Sequence, residues 1–482
     1  MRKSVLFYVA VLLLFGAGIY FILGYGARLQ PSIGQVSASA PAVASAQPAV
    51  KEGGFLAPLK EPLSLLLLQV IIIVVAARAL GTAFSRIGQP AVIGEMVAGI
   101  LLGPSLLGLV APGVQAFLFP ADSLGALRML SQIGVILFMF IVGTELDIDH
   151  LRRKAHAAVV VSHASIVVPF FLGCALALTV YRSMAPAGTR FSAFALFLGV
   201  AMSITAFPVL ARIIDERRMR RSHLGSTAIA CAAVDDVTAW CLLAVVVALV
   251  RANGLGGAVW TILLTLIFIA GMLFVVRPRM ARLVGEQPEG QAASVGFLAG
   301  IFAFIFASAL VTEMIGIHAL FGAFLAGVCM PPNHALRQFL RERLETFGSV
   351  LLLPLFFAFT GLRTEIGLLN DWPSWLACGG IIAVAIVGKL GGSMTAARFT
   401  GMSWGDSFAL GALMNTRGLV ELIVLNLGYD LNILSPRIFA MLVLMALVTT
   451  FMTGPLLHLR HVLGRRREED LAVARAGNRR PV

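Results

Sequence analysis

Asp235 and Asp236 stand side by side near the middle of an apolar run, 224–251, and Lys389 lies inside another, 373–398, between Gly388 and Gly391-Gly392. In hydrocarbon an ionisable side chain is costly, so each marks a functional position by default. Two further runs are interrupted. The run 192–214 carries Ser203-Ile204-Thr205-Ala206-Phe207-Pro208, and 404–428 carries Met414-Asn415-Thr416-Arg417-Gly418. Pro208 lacks a backbone donor and its ring clashes with the preceding turn, so it is expected to break the first helix. Asn415, Thr416, Arg417 and Gly418 are expected to break the second.

Discontinuous helices at corresponding places in two halves of a membrane protein point to a binding site at the bilayer midplane. The oxygens available here suit a hard cation such as Na+. The expected ligands are the Asp236 and Asp235 carboxylates, the Thr205 and Ser203 hydroxyls, and carbonyls freed by the breaks. A carboxylate withdrawn from water is neutralised by either a proton or a cation. Competition between the two for Asp236 suffices for obligatory exchange, provided the empty, charged site cannot cross. Lys389 is expected to pair with one aspartate and to release it when the cation binds, so that buried charges compensate for part of the cycle.

The elements that hold these residues follow from composition. Apolar residues make up 59% of the 482 positions and charged residues 13%, about half the charge a soluble domain carries. The chain therefore takes a lipid bilayer as its solvent. About thirteen runs of spanning length follow one another between 63 and 461: 63–84, 90–109, 127–146, 156–180, 192–214, 224–251, 257–276, 291–311, 314–331, 347–362, 373–398, 404–428 and 436–460. The formal charge of +13 does not indicate nucleic acid. Its basic clusters (152–154, 217–221, 277–282, 337–343 and 465–467, with Arg86 and Arg398) fall in alternate loops, which places those loops and the C-terminus in the cytoplasm. The expected organisation is an N-terminal hydrophobic helix or signal-anchor (1–27), a Ser/Ala/Pro/Gly-rich periplasmic linker (28–62), the transmembrane domain (63–461) and a short cytoplasmic tail (462–482). This is an all-α polytopic membrane protein with an N-terminal helix ahead of its core spans. The five cysteines lie in apolar runs without metal-ligand spacing and read as buried hydrophobes.

Plainer readings apply to several polar groups. Arg417 and Glu421 are four apart, so an internal ion pair that holds the break is expected. Glu313 and Arg363 read as structural, His163 and His318 as packing or hydrogen-bonding residues, and Glu95 and Glu145 as helix anchors. Lys389 has a snorkelling alternative. Residues 337–345 read as an interfacial amphipathic segment. An intramembrane aspartyl protease is rejected, because adjacent aspartates on one helix point about 100° apart. A channel would need a carbonyl filter or rings of charge, and the sequence has no such filter.

Six stretches in order carry a family resemblance: Gln89 to Glu95 with Gly99 to Pro104, Phe138 to Asp147, Thr205 to Arg212, Ala232 to Val237, Gly316 to Phe324, and Asn415 to Leu422. Over about residues 63 to 460 the chain resembles the monovalent cation:proton antiporter superfamily of sodium/hydrogen exchanger type. The resemblance implies inverted repeats, two crossed discontinuous helices, a homodimer, and a six-helix core that moves as an elevator. It implies a transporter, not an enzyme, with no cofactor beyond the transported Na+ or K+ and H+. It makes Asp236 the essential carboxylate, Asp235 its neighbour, Lys389 the partner of that neighbour, and Thr205 a residue of the break beside the ion. An Asp-Asp pair implies electrogenic exchange. The Asn415 to Leu422 motif is also similar to plant-type and Kef-type K+/H+ exchangers, which keeps that alternative open. A same-fold organic-anion symporter is the further one.

Overall fold

The computed structural model describes residues 2–29, 61–145, 155–220, 222–251, 255–285, 295–331, 333–345 and 348–477, and among these there are helices and no strand. The N-terminal half contains α1 (Arg2–Gly26), α2 (Pro62–Arg86), α3 (Ala91–Leu102), α4 (Leu124–Glu145), α5 (Ala155–Met184), α6 (Phe191–Ser203), α7 (Phe207–Glu216) and α8 (His223–Arg251). The remainder contains α9 (Leu255–Gly271), α10 (Val295–Ile315), α11 (Ala319–Val328), α12 (Leu353–Leu362), α13 (Trp372–Ile386), α14 (Gly392–Phe399), α15 (Trp404–Met414), α16 (Leu419–Asp430) and α17 (Pro436–Gly477). Several starts follow from local chemistry. Proline occupies the first turn of α2, α7, α12 and α13, where its missing N–H would have no intrahelical partner anyway. Ser403 caps α15 by accepting the Asp406 amide at 3.1 Å.

Among the described residues, twelve helices are long and apolar enough to cross a membrane, α1 included, and α15 with α16 forms a further span bent by 44°. The run 314–331 differs from the expectation of a full crossing. Gly316 at φ +97° ends α10, and His318 then caps a ten-residue α11. At 1.5 Å per residue this helix covers roughly half of a ~30 Å hydrocarbon layer. Most of the expected 28–62 linker and the basic cluster at 152–154 lie outside the described residues.

The helices associate in two groups. In the first, α2 packs on α3, α3 and α4 on α12, and α11 on α4 and α10. In the second, α5 packs on α6, α8 and α14, α14 on α15, and α17 on α13 and α15. Small residues permit the close crossings, as membrane helices require. A Cβ on Gly99 of α3 would stand 2.5 Å from the Ala358 Cα of α12, and one on Gly173 of α5 would stand 2.9 Å from the Gly199 Cα of α6. The N-terminal helix packs on the second group, with Phe15 edge-on to Phe171 and Phe7 stacked on Phe399. Every residue singled out for chemistry in the sequence belongs to this second group.

Candidate functional site

The two interrupted runs meet. Helix α6 stops at Ser203, residues 204–206 are extended (Ile204 φ −77°, ψ 138°; Ala206 φ −85°, ψ 95°), and α7 starts at Phe207. Pro208 therefore opens the second half-helix, and the break lies just ahead of it. The break thus falls within the expected stretch 203–208, on the N-terminal side of the proline. In the first turn proline costs no hydrogen bond, while it still disfavours continuous helix through the residue before it. The second break, Asn415 to Gly418, lies against the first. The Ala206 amide donates to the Thr416 carbonyl at 3.0 Å, and the Thr205 hydroxyl donates to the Met414 carbonyl at 2.9 Å. Gly418 is needed for this approach, since a Cβ there would lie 2.8 Å from Cγ2 of Val209 in α7.

A helix that ends leaves its last four carbonyls without intrahelical partners. At the buried end of α6 all four find donors. Val200 accepts from the Ser203 hydroxyl at 2.9 Å. Ala201 and Met202 accept from Nη1 and Nη2 of Arg417 at 2.7 and 2.6 Å, and Ser203 accepts from Lys389 Nζ. The carbonyls that this break frees at the α6 end are thus already engaged by donors, and two side-chain cations cap it. Their charges also complement the negative end of the α6 dipole.

Lys389 reaches this point from Val387–Gly391, a five-residue π segment between α13 and α14. Such bulges concentrate at functional positions. Gly388, in the same segment, lets the backbone approach Pro169 of α5. Lys389 and Asp235 are both fully buried, with Nζ 2.8 Å from Oδ2. The other oxygen of Asp235 accepts from Ser162 of α5 at 3.2 Å. The ammonium thus sits on the aspartate and does not snorkel. Asp236, one residue along α8 and 1% exposed, accepts no hydrogen bond on either oxygen. The Phe207 amide at the start of α7 faces it without closing one. Thr205 and Ser203 are fully buried and donate to carbonyls, which leaves their oxygen lone pairs free to ligate. Asn415 and Thr416 are buried at the second break, the side-chain amide group of Asn415 without a hydrogen-bond partner and Thr416 Oγ1 3.4 Å from that of Thr453.

Arg417 Nη1 lies 3.3 Å from Oε1 of Glu421, both residues fully buried, so the expected four-residue pair is present. Its guanidinium also ties α16 to α6, which spacing alone did not reveal. The backbone of Arg417 is held by Thr450 of α17, whose hydroxyl accepts its amide at 3.0 Å and donates to its carbonyl at 2.9 Å. Ser162, Thr450 and Thr453 are site residues that sequence reasoning missed. Their only signal is a hydroxyl within an apolar run, and that is common in membrane helices. The remaining polar groups lie apart. Glu313 accepts the Ala319 amide at 2.9 Å, His163 contacts the Val159 carbonyl at 2.8 Å, and Arg363 pairs with Asp430 at 2.9 Å.

The model of the family described as sodium/hydrogen exchanger, transmembrane, matches residues 70–459. Among curated relatives, the Na(+)/H(+) antiporter NhaS4 of Synechocystis is 44% identical over 395 residues, 82% of this chain and 96% of its own. Cation/H(+) antiporter 20 of Arabidopsis thaliana is 40% identical, and K(+)/H(+) antiporter 1 of Saccharomyces cerevisiae 35%, each over 83% of this chain. The chain spans about half the length of those two eukaryotic relatives, 48% and 46%. Among solved structures, the sodium proton antiporter MjNhaP1 of Methanocaldococcus jannaschii superposes with a TM-score of 0.59 at 14% identity, covering 82% of this chain and 96% of that one. The fold is thus shared where sequence has largely diverged, and the family model spans every residue of the crossing: this chain belongs to the sodium/hydrogen exchanger family.

Proposed function

We propose that this protein is a secondary antiporter that exchanges a monovalent cation, Na+ by preference, for protons, with Asp236 as the carboxylate for which the two compete. The observation that carries this reading is the state of Asp236: buried in a membrane-spanning helix, beside the crossing of two broken helices, with no hydrogen bond to either oxygen. Charge supports it. The ionisable groups at the crossing are Asp235, Asp236, Glu421, Lys389 and Arg417, three carboxylates against two cations. Fully ionised they sum to one negative charge, which a single monovalent cation cancels. Loaded with the cation, the core is neutral and can move; empty and fully ionised, it carries a charge that opposes crossing.

The division of helices into two groups suits alternating access, with the group of α5 to α8 and α13 to α17 moving against the other. In this reading the protein is a homodimer in the inner membrane with a cytoplasmic C-terminus, the orientation favoured by the basic loops. K+/H+ exchange is the second reading, favoured by similarity to the yeast protein described as a K(+)/H(+) antiporter.

The test is proton flux in proteoliposomes carrying an internal pH dye, with Na+ and then K+ added, under free and clamped membrane potential. A Na+-triggered pH change that responds to the potential is expected. Response to K+ alone moves the protein to the second reading, and response to neither overturns both.

A further inference from the structure

The N-terminal helix α1 contributes no residue to the crossing, yet one stripe along it is covered. Tyr8, Val11, Phe15, Gly18, Ile22 and Gly26 recur at intervals of three or four and are buried or half-buried. Leu13, Leu14, Tyr20 and Phe21, between them in sequence, are 69–77% exposed. Such spacing lays the covered positions along one face of the helix, and that face is seated on α5, α6 and α14 of the second group.

The contacts interlock. The Phe171 ring of α5 occupies the place that a Cβ on Gly18 would take, and the Phe191 ring at the start of α6 does the same at Gly26. Gly16 and Gly24, on the exposed side, have nothing within 4 Å of such a Cβ. Phe15 stands edge-on to Phe171 with ring centroids 4.9 Å apart, and Tyr8 edge-on to His163 of α5 at 5.5 Å. Phe7 stacks on Phe399, the last residue of α14, at 4.3 Å. Beneath α1, α5 and α14 are themselves joined, since a Cβ on Gly392 of α14 would lie 3.1 Å from the Ala164 carbonyl oxygen of α5.

We propose that α1 is a permanent member of the moving group, travelling with α5, α6 and α14 through the transport cycle although the chain joins it to α2 of the other group. This rests on the reading that the two helix groups move against each other. Helices that slide past one another do so by small adjustments at a packed surface. A slide along the α1 axis would withdraw Phe171 and Phe191 from their glycine notches and part three aromatic pairs at once. A shift of one turn, ~5.4 Å, would bring Leu14 or Ile22 to the place of Gly18, where the Phe171 ring leaves no room for a Cβ. The seam therefore has one seat. Residues 30–60, which lead from α1 towards α2, can extend to ~100 Å, so connectivity does not hold α1 to α2. The His163 contact lies one residue from Ser162, which donates to Asp235, so α1 backs the segment of α5 that supports this aspartate and moves with it.

The test is a triangle of distances between spin labels on α1, α5 and α2, measured pairwise in proteoliposomes with labelled protein diluted in unlabelled. The labels are carried by Tyr20→Cys, Thr179→Cys and Leu67→Cys, all at exposed positions, in a Cys241→Ser background whose remaining cysteines are buried. The Thr179–Leu67 distance is expected to show two populations whose weights change with Na+ and pH. Tyr20–Leu67 should show two populations with the same weights, and Tyr20–Thr179 a single one under every condition. Two populations for Tyr20–Thr179 overturn the proposal, and so does loss of α1 from the purified chain. A single, invariant Thr179–Leu67 distance is a different failure: the groups then do not move, and the underlying reading falls with the proposal. A second measurement tests the seam. Gly18→Leu/Gly26→Leu should broaden the Tyr20–Thr179 distance while Gly16→Leu/Gly24→Leu leaves it narrow. Equal distributions in the two double variants would show that the notches do not hold α1, which also overturns the proposal.

Discussion

Arg417→Met should be far more damaging than Glu421→Gln, although each removes one member of the same ion pair. The arginine contributes two hydrogen bonds to the end of α6, at 2.7 and 2.6 Å. Hydrogen bonds from a charged donor are worth about 1.5–3 kcal/mol each, so their loss costs about 3–6 kcal/mol and leaves two buried carbonyls unsatisfied. Removing the arginine also orphans Glu421, a penalty of roughly 3–5 kcal/mol if the carboxylate stays ionised and less if it takes up a proton. Glu421→Gln removes only a 3.3 Å contact without hydrogen-bond geometry, and Arg417 keeps both carbonyls. Its cost should be about 1–2 kcal/mol.

Taking about 5 kcal/mol for Arg417→Met, and an unfolding entropy of about 0.8 kcal/mol/K from roughly 2.1 cal/mol/K per residue over some 400 ordered residues, the melting temperature should fall by about 6 °C. Glu421→Gln should fall by about 2 °C. Thermal unfolding of the purified proteins in one detergent measures both, and Arg417→Met/Glu421→Gln should recover only the part due to the orphaned carboxylate. Equal shifts for the two single variants would refute the argument, because the carbonyl contacts would then contribute nothing.

Other perturbations follow from the same geometry. Asp236→Asn should abolish cation-driven proton flux while leaving membrane abundance and melting temperature near wild type, since neither carboxyl oxygen has a hydrogen bond to lose; persistent flux would refute the site. Lys389→Met should cost roughly 3–5 kcal/mol by stranding Asp235, and Lys389→Met/Asp235→Asn should regain most of that in the same melting assay, whereas an equally unstable double variant would count against the pair. On the outward face implied by the basic loops, Asp430 of α16 joins Arg128 of α4 at 2.8 Å and Arg363 beside α12 at 2.9 Å, so it ties the two helix groups together. Both bridges are partly exposed and together contribute about 1–2 kcal/mol. Asp430→Asn should therefore shift the balance between access states by about five- to thirty-fold, read as faster labelling of a cysteine placed at Gln132, which lines the small cavity there. Unchanged labelling would show that these bridges do not couple the groups.

Much of this arrangement was legible because lipid makes two features conspicuous in one dimension: the length of an apolar run and an ionisable residue inside it. Asp235, Asp236 and Lys389 stood out for that reason, and so did the polar stretches at 203–208 and 414–418. What was not legible is what pairs across distance. Ser162 and Asp235 are far apart in sequence, as are Arg417 and the carbonyls of Ala201 and Met202. No local pattern selects Ser162 from other membrane serines, or Thr450 from its neighbour Thr449. The short α11 was missed because Gly316 and His318 interrupt a run whose hydropathy stays high.

The two half-helix ends at the first break bear differently on a cation. The negative end of α6 is closed by Arg417 and Lys389; a cation approaching there would meet like charge and carbonyls already engaged. The positive end of α7 begins at Phe207, whose amide faces Asp236. A helix N-terminus favours a negative charge beside it by about 0.3–1 kcal/mol, more where partly buried. The two ends are therefore not equivalent for a cation: in the exchange proposed above, it reaches Asp236 from the side away from the α6 end, where it meets neither Arg417 nor Lys389.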